Sequence, residues 1–97
     1  MKPSIALLAH RDEVREVLER FRMCNPRIFG SASRNEDTEK SDLDILVDAP
    51  AGASLYDLAQ VELELEAILG CKVEVLTKGF MAPDVLDRVE TDLILMP

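Results

Sequence analysis

The side chains of this sequence best suited to do chemistry are two aspartates separated by a single residue. They follow a Gly-Ser pair after an interval of ten residues. Gly30 and Ser31 close one apolar run, and Asp42 and Asp44 open another that continues through Val47. Because residues i and i+2 of a strand project to the same face, we expect the two carboxylates to lie side by side, facing the Gly-Ser turn. Adjacent like charges repel, and a cation between them relieves the repulsion. The pattern therefore suits a divalent cation that grips the phosphates of a nucleotide.

Each half of this pattern has an ordinary explanation when taken alone. A Gly-Ser pair is a common turn, and an Asp-x-Asp segment is more often a solvated strand face than a site. The combination is more specific, because the apolar residues 45–47 predict a central strand. A pair of charges at the end of a buried strand belongs to a functional site more often than it lacks a specific role.

Length and composition limit the class of protein. The 97 residues, 47% of them hydrophobic, predict a single globular domain over residues 1–97. No apolar run approaches the roughly 20 residues of a membrane span, and the first residues do not resemble a signal peptide, so we expect a cytoplasmic protein. The net charge of −8 argues against nucleic acid as a direct partner. It fits an acidic cation-binding cleft or a basic protein partner.

Cysteine and histidine content argues against a zinc site. The chain has two cysteines, Cys24 and Cys71, one histidine, His10, and no C-x-x-C motif. We expect both cysteines to pack as small hydrophobic residues, and His10 to have a surface or capping role.

Hydrophobic periodicity predicts the helices. Apolar residues recur at i, i+3, i+4 and i+7 within residues 12–22, which indicates an amphipathic helix, and residues 4–9 are a shorter candidate before it. A third helix is predicted between Ser54, which can cap its start, and Gly70, which can end it. A last helix is predicted after Pro83, with Val85, Leu86 and Val89 on its buried side.

Strands are predicted at residues 27–29, 43–48 and 72–77, with a helical turn beginning at residues 31–34. In the third strand, Val73 and Val75 alternate with Glu74, which we expect on the opposite face. The order of elements predicts an α/β (α+β) fold, a small mixed sheet of about three to four strands with helices packed on it.

These motifs resemble the minimal nucleotidyltransferase domain of the DNA polymerase beta-like superfamily. The resemblance rests on Gly30-Ser31 with Arg34 in a G-S-x-x-R arrangement, on the sequence S-D-L-D at 41–44, and on the ten-residue gap between the two. It extends over nearly the whole chain and includes an acidic residue, Glu74, in the following strand. Two positions depart from the family pattern: Asn35 stands where glycine is usual, and Glu74 stands where aspartate is usual.

The resemblance implies roles for the site residues. Gly30 and Ser31 would hold the phosphates of ATP, while Asp42 and Asp44 would hold Mg²⁺, as two ions. Glu74 would complete the second metal site or act as a general base, although it could also be a plain exposed strand residue.

Arg34 has two interpretations under the same resemblance. Its guanidinium would contact phosphate, or it would form an ion pair with Glu36, Asp37 or Glu39 in the loop that follows.

The resemblance also implies a function and a partner. Minimal domains of this family resemble antitoxins that transfer AMP from ATP to a tyrosine hydroxyl of a HEPN-domain toxin, in a type VII-like toxin–antitoxin pair and a hetero-oligomer. The alternative is an inactive antitoxin that neutralises its partner by steric cover. An aminoglycoside-type transferase acting alone is disfavoured, because the chain has no second domain to hold such a substrate.

Overall fold

The structure is a computed structural model that describes residues 1–80 and 94–95. The helices are α1 (Pro3–Ala9), α2 (Arg11–Arg20) and α3 (Leu55–Leu69), and the strands are β1 (Cys24–Phe29), β2 (Leu43–Asp48), β3 (Val73–Leu76) and β4 (Ile94–Leu95). Two short 3₁₀ turns span Ser31–Arg34 and Lys78–Phe80. The helix predicted after Pro83 lies outside the described residues. None of the described helices is long and apolar enough to cross a bilayer.

The four strands form one mixed sheet in the order β3-β2-β1-β4. Strand β1 is antiparallel to both β2 and β4, whereas β2 and β3 are parallel and are connected through α3. The predicted α+β architecture with a small mixed sheet is confirmed. The parallel pair matters for the site, because it places residues with the same position in β2 and β3 next to each other.

Helix α3 begins and ends at the capping residues that the sequence predicted. Ser54 forms a capping box with Asp57, in which each side chain accepts a hydrogen bond from the other residue's backbone. Gly70 ends the helix in the left-handed conformation, with φ of 72°. The core-facing side of α3 carries four buried residues, which are Leu58, Val61, Leu65 and Leu69.

The hydrophobic core lies between the three helices and one face of the sheet. Alternation along β2 sends Leu43, Ile45 and Val47 into this core. Asp44 and Leu46 therefore lie on the opposite face, where Leu46 is also fully buried. Asp44 is thus carried by a central strand whose neighbouring positions are fixed by packing on both faces.

Strand β1 differs from its prediction, because it begins at Cys24 rather than at residue 27 and includes Pro26. The pairing with β2 shifts between Cys24 and Arg27, and Asn25 adopts a left-handed φ of 50°. Such a bulge accommodates a proline, which cannot donate a hydrogen bond to the ladder. The helix predicted over residues 12–22 ends earlier, at Arg20.

The cysteine prediction is wrong for one of the two residues. Both thiols are free, but Cys24 is exposed and only Cys71 is partly buried against the core. His10 lies between α1 and α2, where its Nδ1 is 2.8 Å from Oε1 of Glu13, in keeping with a surface role.

Asp37 joins the loop after the first 3₁₀ turn to the start of α1. Its carboxylate accepts hydrogen bonds from the backbone N–H of Ser4 (2.8 Å) and from the Ser4 hydroxyl (3.0 Å). Burial by itself raises the pKa of Asp37, but the hydrogen bonds from Ser4 outweigh it and hold the pKa below the ordinary value. Asp37 thereby satisfies an N–H of the first turn of α1 that has no partner within the helix.

Replacement of Asp37 by alanine is expected to lower the free energy of unfolding by about 2 kcal/mol at pH 7, because it leaves a helix N–H and a hydroxyl without their acceptor. Since the folded pKa lies below the unfolded one, this contribution is present at neutral pH and is lost as the pH falls through the folded pKa. Urea unfolding at pH 7 and pH 3 measures the loss of stability in the variant and the dependence of that loss on pH. Glu39→Ala, in the same exposed loop, is the matched control, and an equal loss in both variants would contradict the assignment.

Candidate functional site

Gly30 ends β1 in a conformation that other residues avoid. Its φ of 76° and ψ of −155° lie in a region that is essentially restricted to glycine. A Cβ at this position would lie 2.7 Å from Oδ2 of Asp44, closer than such atoms approach in real structures. The missing side chain therefore makes room for the Asp44 carboxylate, which faces the turn.

The turn after Gly30 is closed by a residue that the sequence analysis did not single out. The backbone N–H and the hydroxyl of Ser33 both donate to the carbonyl oxygen of Gly30, at 3.1 and 2.6 Å. Ser31 is half-buried at the start of this turn, and its carbonyl accepts a hydrogen bond from the N–H of Glu36. Asn35 ends the turn in the left-handed conformation with φ of 57°, which asparagine tolerates better than most residues. A serine three residues after a turn glycine is the signal that could have identified Ser33.

Asp44 and Glu74 are register partners in the parallel pair of β2 and β3. Burial raises the pKa of Asp44 to about 6, with further contributions from the charge of Glu74, a hydrogen bond between the two carboxyl groups, and the charge of Asp42. Asp42 is exposed and immediately precedes β2, whose bounds are those predicted. The structure thus brings both Asp42 and Glu74 within electrostatic reach of Asp44.

Arg34 takes one of its two predicted arrangements. Its Nε donates to Oε2 of Glu36 at 3.2 Å, and both side chains are exposed. Asp37, a second candidate partner, instead accepts hydrogen bonds from Ser4 at the start of α1.

The donor set fits Mg²⁺ in its chemistry. All three side chains supply carboxylate oxygens, the ligands that this ion prefers together with phosphate and water. Among residues 1–80, no three Cys, His, Asp or Glu side chains are arranged to close around an ion by themselves. Asp42 and Glu74 are exposed, so a change of rotamer can bring their carboxylates toward an ion at small cost. Burial and, secondarily, the charges of Glu74 and Asp42 raise the pKa of Asp44, and a bound cation would favour its ionised form against both effects.

Two concave regions of the described surface lie away from these carboxylates. A groove of about 330 Å³ between α2 and α3 is lined by Arg20, Glu64 and Ile68 among others, and a pocket of about 170 Å³ lies beside Met23 and Pro26. The groove is also lined by Glu13 and Glu16, but Glu13 lies against His10 and Glu64 pairs with Arg20. Neither cavity combines a carboxylate with a glycine turn that faces it, so the chemistry favours the Gly30–Asp44 region as the functional site.

The family assignment agrees with this site. Residues 11–95 match the family model for the nucleotidyltransferase domain. This chain therefore belongs to the nucleotidyltransferase domain family.

Two relatives from archaea are similar over most of their length. A "putative protein adenylyltransferase" of Methanocaldococcus jannaschii is 46% identical over 67 residues, which are 69% of this chain and 72% of that protein. The "protein adenylyltransferase MntA" of Thermococcus cleftensis is 36% identical over 88 residues, covering 91% of this chain and 86% of the relative.

Two solved structures share the fold. A "putative minimal nucleotidyltransferase" has a TM-score of 0.80 and 35% identity. The match covers 94% of this chain and 93% of the chain in that structure. The fold is also similar to that of a chain in a structure described as a tri-AMPylated HEPN toxin from Shewanella oneidensis in complex with an MNT antitoxin, with a TM-score of 0.71. That match covers 93% of this chain and 71% of the other, and its identity of 16% supports the fold alone.

Substitution of Gly30 by alanine is expected to destabilise the protein by about 2 kcal/mol, because the positive φ is strained and the new Cβ collides with the Asp44 carboxylate. Gly79→Ala is the matched control, since a Cβ there meets nothing within 4 Å. Urea unfolding compares the two. A loss that is equal in both variants would contradict the close approach of Gly30 and Asp44.

Substitution of Asp44 by asparagine is expected to raise the free energy of unfolding at pH 7.5 by about 1 kcal/mol, a value reduced for the partial exposure of the group. The folded pKa of about 6 exceeds the ordinary 3.8, so the wild-type carboxyl loses stability as the pH rises through this interval. At pH 4 the two proteins should be nearly equal. Asp48→Asn on the same strand should not stabilise, because Arg27 lowers the pKa of Asp48. Destabilisation of Asp44→Asn at pH 7.5 would contradict the repulsion.

Proposed function

We propose that this protein is a Mg²⁺-dependent protein adenylyltransferase that moves AMP from ATP to a tyrosine hydroxyl of a HEPN-domain toxin, and so acts as an antitoxin. The observation that carries the proposal is the convergence of Asp42, Asp44 and Glu74 beside the Gly30 turn, in a chain of the nucleotidyltransferase family. We further propose a single domain over residues 1–97, acting in the cytoplasm as part of a hetero-oligomer.

The names of similar proteins support the acceptor and the partner. The Thermococcus cleftensis relative is named a protein adenylyltransferase, and the Shewanella oneidensis structure is described as an AMPylated HEPN toxin bound to an MNT antitoxin. The net charge of −8 favours a partner surface that is basic around its acceptor, because opposite fields guide association.

The residues of the turn would bind the triphosphate. Ser31, at the start of the 3₁₀ turn, offers its hydroxyl and its backbone N–H to phosphate oxygens. Gly30 makes room for the Asp44 carboxylate, and its lack of a side chain would also let the backbone of the turn approach the triphosphate closely. Arg34 stands at the exposed end of the turn, where its pairing with Glu36 competes with a phosphate contact.

The carboxylates would hold Mg²⁺ and handle the proton. Asp42 and Asp44 are the proposed ligands, shared by two ions, with Glu74 completing the second. When bound, Mg²⁺ supplies charge neutralisation at the phosphates and a lower pKa for the acceptor hydroxyl. In the transfer, the tyrosine oxygen forms a bond to the α-phosphorus of ATP while the bond to the β-phosphate oxygen breaks, and pyrophosphate leaves. The hydroxyl proton would pass to water or, where Glu74 acts as the general base instead of a metal ligand, to Glu74.

The proposal is tested with the purified chain, a candidate HEPN-domain toxin from the same organism, Mg²⁺ and ATP labelled at the α-phosphate. We expect label on a tyrosine of the partner, and at least about 100-fold less in the double variant Asp42→Asn plus Asp44→Asn. Asp48→Asn, at the other end of β2, is the matched control and should label within about twofold of wild type. Absence of label in wild type, or equal label in the double variant, would contradict the proposal.

A steric antitoxin is the second candidate, because Glu74 departs from the family's usual aspartate and the described carboxylates do not close around an ion. Cell growth separates the candidates when the toxin is expressed with each antitoxin variant. Catalysis predicts that the double aspartate variant fails to protect. Full protection by that variant, at equal protein level, would favour steric cover.

A further inference from the structure

Two glutamates of α3 bind the outer edge of the sheet. The N–H of Val73 donates to Oε2 of Glu66 at 3.1 Å, and the N–H of Val75 donates to Oε2 of Glu62 at 2.8 Å. Strand β3 lies at the edge of the sheet, so every second N–H has no strand partner on that side. The two amides that α3 binds are those on either side of Glu74.

The spacing within α3 explains how both contacts form. Glu62 and Glu66 are four residues apart and lie on one face of the helix, directed at β3. Both side chains are half-buried. Glu64, between them in sequence, points elsewhere and pairs with Arg20 of α2. The pair of carboxylates therefore takes the place that a neighbouring strand would occupy beside β3.

The anchored segment is the one that carries the third carboxylate of the site. Val73 and Val75 are buried in the core, while Glu74 projects from the opposite face next to Asp44. Pairing with β2 and the burial of Val73 and Val75 hold the inner side of this four-residue strand, while the hydrogen bonds from α3 hold two amides on its outer edge. Because glutamate has one more rotatable bond than aspartate, the position of its carboxylate depends strongly on a well-fixed backbone.

We propose that Glu62 and Glu66 are positioning residues, which hold the backbone of β3 on both sides of Glu74 and so set its carboxylate against Asp44. The effect on catalysis rests on the proposed function, whereas the anchoring of the strand does not. A shift of about 1 Å in a reacting group is enough to lower catalysis substantially.

Amide hydrogen exchange followed by NMR tests the anchoring without any assay of activity. In Glu62→Ala, exchange at Val75 should accelerate at least about tenfold, while Val73 changes less, and Glu66→Ala should show the reverse. The variants Glu62→Gln and Glu66→Gln keep an oxygen acceptor and should exchange within about threefold of wild type. Glu64→Ala is the matched control on the same helix and should leave both amides unchanged.

Two exchange results would overturn the anchoring. One is unchanged exchange at Val73 and Val75 in both alanine variants. The other is equal acceleration at core amides such as Ile45, which would mean global destabilisation rather than release of the edge.

Kinetics of the toxin reaction test the positioning role. The double variant Glu62→Ala plus Glu66→Ala should lower kcat about tenfold with KM for ATP changed less than about twofold, and the double glutamine variant should restore kcat. In a Glu74→Ala background the same two alanines should cause no further loss, because they act through Glu74.

A further loss of the same size in the Glu74→Ala background would overturn the positioning role and leave a general structural one. If wild type transfers no AMP, the proposed function fails while the exchange experiment still decides whether the glutamates hold the strand.

Discussion

The close approach of Asp44 to the backbone of Gly30 is the constraint on which the site depends. It requires a residue without a side chain at position 30, in a backbone conformation that glycine alone adopts readily. It also requires that Asp44 stay on the side of β2 opposite the helical core, which the burial of Ile45 and Leu46 on the two faces enforces. The turn and the carboxylate are therefore fixed relative to each other by packing rather than by a hydrogen bond between them.

This arrangement holds negative charge together at a cost to the fold. Parallel pairing of β2 and β3 places Glu74 beside Asp44, and Asp42 adds a third charge. Burial of Asp44, together with these neighbouring charges, raises its pKa to about 6, and this shift is the cost to the fold. Repulsion maintained at one end of a well-packed sheet is typical of sites that acquire their counter-charge from a ligand. The chain that carries this cluster belongs to the nucleotidyltransferase domain family.

The sequence predicted the features that depend on local chemistry. Ser54 and Gly70 define α3 because capping is decided by a few neighbouring residues. The strand periodicity predicted that Asp44 faces the Gly-Ser turn, where its carboxylate lies against Gly30. Features that need tertiary contacts were not predictable. Pro26 lies inside a strand because a bulge accommodates it. The lack of a side chain at Gly30 leaves room for the carboxylate of Asp44, fourteen residues away. The hydrogen bonds between α3 and the edge of β3 depend on how the helix docks, which no periodicity reveals.

The most direct test of the central claim is an NMR titration of the Asp44 side-chain carboxyl carbon, with and without Mg²⁺ and a non-hydrolysable ATP analogue. The account predicts a pKa of about 6 in the free protein. Addition of Mg²⁺ and the analogue should lower it below about 4, because a bound cation favours the ionised carboxylate. A pKa that stays near 6 under saturating Mg²⁺ and nucleotide would contradict the claim that these carboxylates receive the metal-bound triphosphate.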